Sequence, residues 1–131
     1  MAQQASRELS ARVLVVEDEW LIANEFSLCL EEAGYEVVGP AHSVAQALRL
    51  LEETRPDAAL LDISLHGEKS YPIAERLAEC ATPFAFLTGY TNGEIADLCR
   101  EHPCLQKPVT NEALLSVIDM LLEGQDNSRV C

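Results

Sequence analysis

The sequence is short of bases. Nine Lys and Arg stand against 22 Asp and Glu, a formal net charge of −13 over 131 residues. Nucleic-acid phosphates are held by a surplus of Lys and Arg, so this charge argues against direct binding to nucleic acid. A basic protein partner or a cation suits it better. Long apolar runs are also lacking: nothing approaches the roughly 18 residues of a membrane span, and no membrane insertion is expected. The opening stretch MAQQASRELS has no apolar core, so no secretion signal is expected and the chain is expected to be cytoplasmic. No C-x-x-C pair occurs among the five cysteines, Cys29, Cys80, Cys99, Cys104 and Cys131. Odd in number, they are read as reduced thiols without a metal or redox role. Repeats, long linkers and a second domain are missing too. One domain over residues 11–123 is expected, between flexible polar tails at 1–10 and 124–131.

What is present is a regular alternation. Residues 12–17, 57–62 and 83–87 are apolar runs of the kind that fit strands covered on both faces. Weaker runs at 36–40 and 103–107 fit outer strands. Helical spacing lies between them: Glu19 to Ala33 with a stop at Gly34, and Ser43 to Glu53 opened by the capping box Ser43-x-x-Gln46. Ser70 to Glu79 has a serine cap and Pro72 in its first turn. Thr110 to Glu123 is amphipathic. The weak member is 91–101, with a capping box from Thr91 to Glu94 but only Ile95, Leu98 and Cys99 to anchor it. It is expected to be short or mobile. Five strand–helix units predict a parallel five-stranded sheet with helices on both faces, an α/β fold. In such sheets function gathers at the carboxyl ends of the strands.

Those ends carry the chemistry. The first strand runs into Glu17-Asp18, the third ends in Asp62, the fourth in Thr88 and the fifth in Lys107-Pro108. Close carboxylates repel by a few kcal/mol per pair at an effective dielectric of about 20, and a hard divalent cation removes that cost. Magnesium takes oxygen ligands and keeps several waters, so Glu17, Asp18 and Asp62 with a carbonyl make a plausible open site. Beside such a site, Asp62 suits the role of a nucleophile toward a phosphoryl group. Thr88 would hydrogen-bond a phosphoryl oxygen, and Lys107 would neutralise charge.

VLVVEDE, PDAALLDISL, LTGY and LQKPV resemble the four signatures of response-regulator receiver domains of two-component signalling, over about residues 11–123. The resemblance implies a flavodoxin-like (βα)5 fold and a Mg2+ site at Glu17 and Asp18. It also implies that Asp62 is a phosphoacceptor served by a histidine kinase, that the backbone carbonyl of Ser64 completes the metal shell, and that Thr88 and Lys107 contact the phosphoryl group. PFAFLTGY with LQKPV is similar to the FATGUY subfamily of stand-alone receivers, often paired with kinases of the HWE or HisKA2 type, although Leu87 stands where that subfamily has Ala. Cys104 stands three residues before Lys107, where receivers usually carry the aromatic of their Thr–Tyr switch. Tyr90, or a moving 91–101 segment, is the expected replacement.

The resemblance implies a phosphoacceptor signalling protein rather than an enzyme with a separate substrate. It would act through a downstream protein or histidine phosphotransfer partner, or as a phosphate sink. Tyr90 and Ser64 are expected to tune access of hydrolytic water. His66 is expected to be a solvated loop residue or a hydrogen-bonding neighbour of the site, and Trp20 an exposed cap. Ala23, Asn24 and Ser27 are candidate docking positions on the first helix, and Glu19 is expected to favour its own helix N-terminus. A haloacid-dehalogenase-like phosphatase would need an acid where Ser64 stands. An FMN binder would need a Gly/Ser/Thr-rich cradle where Glu17-Asp18-Glu19 stand. A degenerate, scaffold-only receiver would not keep all five site residues.

Overall fold

The computed structural model describes residues 10–89 and 93–123. Tyr90, Thr91 and, apart from Ser10, both expected tails lie outside the described residues. In chain order the elements are β1 (Arg12–Val16), α1 (Trp20–Glu32), β2 (Glu36–Ala41), α2 (Val44–Thr54) and β3 (Ala58–Asp62). A hairpin of β4 (Ser64–Leu65) and β5 (Glu68–Lys69) follows, then α3 (Tyr71–Glu79), β6 (Phe84–Thr88), α4 (Gly93–Glu101), β7 (Cys104–Gln106) and α5 (Asn111–Glu123). The main sheet is parallel, in the order β2-β1-β3-β6-β7. This is the flavodoxin-like α/β fold, with the chain order reversing between β1 and β3.

The continuous apolar run of β1 follows from burial on both faces. Side chains alternate along a strand. Val13 and Val15 face the layer of α1 and α5, with Phe26, Leu30, Leu114 and Ile118. Leu14 and Val16 face the layer of α2, α3 and α4, with Ala47, Ile73, Leu77 and Phe86. All five residues of the central strand β3 are buried.

Local chemistry sets the ends of the helices. After α1, Gly34 takes φ +98. Its amide donates to the Glu31 carbonyl at 3.0 Å and the Tyr35 amide to the Leu30 carbonyl at 3.0 Å, the paired closure of a Schellman motif. At α2 the Ser43 hydroxyl accepts from the Gln46 amide at 3.1 Å, and the Gln46 side chain accepts from the His42 amide at 3.0 Å. The expected capping box therefore forms, reaching one residue further back than the usual reciprocal bond. Thr110 caps α5 by accepting from the Ala113 amide at 3.1 Å. Ser70 occupies the N-cap position of α3, but its side chain makes no capping bond.

Two readings of the sequence are corrected. Cys99 and Cys104 are joined in a disulfide, and Cys80 is disulfide-bonded as well, so the cysteines are not all reduced thiols. The five-residue spacing of Cys99 and Cys104 does not reveal that the end of α4 and the start of β7 bring their Cα atoms to 5.4 Å. Among the described residues, buried Cys29 is a free thiol. Second, Ala23 and Ser27 are not surface positions. Both are buried on α1, where the Ser27 hydroxyl donates to the Ala23 carbonyl at 2.9 Å. Asn24 is exposed.

Candidate functional site

The site begins with a bend in β2. Gly39 takes φ +92 in the stretch where the register of β1 and β2 slips between Leu14 and Val16. A Cβ there would lie 2.7 Å from the Ala41 amide nitrogen and 3.3 Å from the Val15 carbonyl oxygen, so only glycine fits without displacement. The slip puts Ala41 beside Glu17, whose amide donates to the Ala41 carbonyl at 2.9 Å. The Glu17 carbonyl meets the His42 ring Nδ1 at 2.9 Å. Glu17 is thus held by its backbone just past β1, with its side chain turned inward and fully buried.

Four strand ends meet here. Asp62 closes β3 and is almost buried, and Thr88, at the end of β6, is likewise buried. Lys107 follows β7, anchored by its amide to the Thr88 carbonyl at 2.8 Å. Its ammonium lies 2.8 Å from Glu17 Oε1 and 3.0 Å from Asp62 Oδ2. Asp62 Oδ1 accepts from the Ser64 amide at 3.3 Å, which places exposed Ser64 directly beside the acid. Asp18 is held from the hairpin side, where its Oδ2 accepts from the His66 amide at 2.9 Å.

The structure therefore brings together Glu17, Asp18, Asp62, Ser64, Thr88 and Lys107, drawn from positions 17 to 107. Trp20 is exposed at the start of α1. His66 fulfils both expectations: its ring is largely in solvent, while its amide bonds Asp18 and its Nδ1 stands 3.6 Å from the same carboxylate. Glu19 stands at the N-cap position of α1, but its side chain makes no capping bond and instead lies 3.8 Å from the Lys107 ammonium. The β4–β5 hairpin was missed by sequence reasoning. Its signal was the two-residue turn His66-Gly67, where φ is positive at both positions (50 and 86), as tight hairpin turns demand.

Electrostatics follow from burial. Desolvation, reinforced by the neighbouring Asp62 charge, outweighs the Lys107 contact and raises Glu17 to a pKa of about 7. Burial also weakens the Lys107 ammonium, but its hydrogen bonds to Glu17 and Asp62 more than compensate and hold its pKa above the ordinary value. One ammonium against three converging carboxylates leaves the site short of positive charge. Glu17, Asp18 and Asp62 each offer an oxygen, all within 4.8 Å of one another. An all-oxygen donor set of this kind fits a hard divalent cation.

A family model described as "Response regulator receiver domain" matches residues 13–119, and the chain belongs to this family. The transcriptional regulatory protein PdtaR of Mycobacterium tuberculosis is 28% identical over 120 residues, 88% of this chain and 58% of that protein. The phyllosphere-induced regulator PhyR of Methylorubrum extorquens is 29% identical over 138 residues, 98% of this chain and 51% of that protein. The chain thus spans about half the length of these curated relatives. The solution structure of SdrG from Sphingomonas melonis Fr1 matches with a TM-score of 0.76 at 40% identity, covering 86% of this chain and 97% of that one. Receiver domains are signalling modules that typically bind Mg2+ in an acidic pocket, and Glu17, Asp18 and Asp62 form such a cluster here. Among the described residues no helix is long and apolar enough to cross a membrane.

Proposed function

We propose that this receiver accepts a phosphoryl group on Asp62 from the phosphohistidine of a histidine kinase. The observation that carries this reading is the Lys107 ammonium 3.0 Å from Asp62 Oδ2, on a strand end whose neighbour ends in Thr88. In the transfer, an Asp62 oxygen forms a bond to phosphorus while the phosphorus–nitrogen bond to the donor imidazole breaks. The imidazole nitrogen leaves with the bonding pair. Lys107 neutralises the charge gathered on the phosphoryl oxygens, and Thr88 offers its hydroxyl to one of them. Glu17, Asp18, Asp62 and the Ser64 carbonyl would hold Mg2+, which when bound supplies further neutralisation of those oxygens. Ser64 and Tyr90 would tune the approach of hydrolytic water.

The output of this reading is a protein partner that recognises the phosphorylated form, or loss of the phosphate in a sink that drains a shared kinase. The kinase would be of the HWE or HisKA2 type, with a histidine phosphotransfer protein as an alternative partner, in the cytoplasm, and the chain would be of the FATGUY subfamily. The test is intact-protein mass after acetyl phosphate, with and without Mg2+, on wild type and Asp62→Asn. The expected result is a single phosphoryl adduct that requires both Mg2+ and Asp62. An adduct that persists in folded Asp62→Asn would overturn the assignment, whereas none on wild type that binds Mg2+ would favour a receiver that only its cognate kinase phosphorylates, or a scaffold.

A further inference from the structure

Cys99 and Cys104 tie two elements together at the edge of the molecule. Cys99 lies near the C-terminal end of α4, and Cys104 opens β7, the strand at one edge of the sheet. Both are half-buried, packed against the layer that contains Phe84, Phe86 and Ile95. His102, in the short connection between them, stacks on Phe84 at 5.2 Å and meets Phe86 edge-on at 5.6 Å. This ring cluster fixes the connection, and the Cα separation of 5.4 Å falls in the range a disulfide spans without backbone movement.

The rest of α4 has little to hold it. Ile95 is its one buried residue, and helices with few buried apolar contacts open at low free-energy cost. A covalent tie from Cys99 to β7 therefore restrains an otherwise weakly anchored helix. Cys29 is the contrast: a free thiol buried in the opposite layer, its pKa pushed up by burial and by Glu32, which makes it an inert thiol.

We propose that Cys99 and Cys104 are a reversible dithiol–disulfide pair that fastens α4 to β7 when oxidised and releases it when reduced. The oxidant is a peroxide. One thiol attacks it, the oxygen–oxygen bond breaks, and a sulfenic acid and one water form from hydrogen peroxide. The second thiol then attacks the sulfenic sulfur, the sulfur–sulfur bond forms, and a second water leaves. A dithiol reductant reverses the change by exchange, returning two electrons and two protons to the cysteines. The strand so tied is the one that leads into Lys107, three residues beyond Cys104. The proposal stands apart from the phosphoryl reading, since it concerns the chain with no phosphoryl donor present.

The test uses the full chain in two redox states. Protein treated with hydrogen peroxide or with dithiothreitol is alkylated and mapped by peptide mass, and amide hydrogen exchange is followed across residues 93–101. The expected result is linked Cys99–Cys104 after peroxide, and Cys99 and Cys104 both alkylated after dithiothreitol. Exchange in α4 should be about tenfold faster in the reduced chain, with α1 and α5 unchanged. The double variant Cys99→Ser/Cys104→Ser should exchange like the reduced chain in both conditions. Free Cys99 and Cys104 thiols after peroxide, or a Cys99–Cys104 bond that dithiothreitol leaves intact in the folded chain, would overturn the proposal. Equal exchange in the two states of wild type would overturn it too, and that comparison needs no variant to fold.

Discussion

The ammonium of Lys107 lies 2.8 Å from Glu17 Oε1, and the Glu17 side chain has no exposure to solvent. Breaking a buried pair by removing one partner typically costs about 3–5 kcal/mol, because the other charge stays behind. Lys107→Met should therefore destabilise the metal-free protein by about this much near pH 8. The loss should shrink toward pH 5, where Glu17 takes a proton instead. Urea unfolding at the two pH values checks it.

A pH dependence follows for the wild type. The folded pKa of Glu17 is about 7, against an ordinary 4.5. An acid raised by folding contributes stability that is complete below its unfolded pKa and is lost as pH rises through the folded one. Without divalent ions, this group should lower the urea midpoint as pH climbs from about 4.5 to 7. Millimolar Mg2+ should restore the midpoint above that window but not below it, since a metal competes with the proton for the carboxylate. Glu17→Gln should flatten the profile. A slope unchanged in that variant would place its origin elsewhere.

Tyr35 and Asp119 give a second, remote case. The tyrosine hydroxyl donates to Asp119 Oδ1 at 2.6 Å, joining the turn after α1 to α5. Burial first, then this bond and the aspartate charge, push Tyr35 up to about 12. Its contribution should be complete below about pH 10 and lost as pH rises through 12. Tyr35→Phe should cost about 0.5–1.5 kcal/mol at neutral pH, read from the urea midpoint. The site is far enough away that acetyl phosphate reactivity should not change.

Much of the fold was legible because burial on two faces writes itself as unbroken apolar runs. β1, β3 and β6 could be read this way, and so could the ends of α1, α2 and α5, where Gly34, Ser43 and Thr110 act through local geometry. The candidate site was legible for the same reason, since parallel strands deliver their last residues to one edge. Long-range geometry was not legible. No spacing rule shows that Lys107 bridges Glu17 and Asp62, or that Glu19 leans toward that ammonium instead of capping its helix. The cysteines misled because pairing depends on where α4 ends relative to β7. The Ser64–Lys69 hairpin hid because two-residue strands leave almost no periodicity.

Neighbouring strands in a sheet are spaced by about 4.8 Å whatever loops connect them. With β1, β3, β6 and β7 side by side, the spacing of the residues at their carboxyl ends is a property of the sheet. The turns at Gly34-Tyr35, Arg55–Asp57 and Ala81–Pro83 lead into β2, β3 and β6 and so lie at the opposite edge, where these strands begin. Insertions or a new chain opening there should leave the acids and the ammonium in register. The scaffold can be rewired from below while its upper edge keeps its pattern.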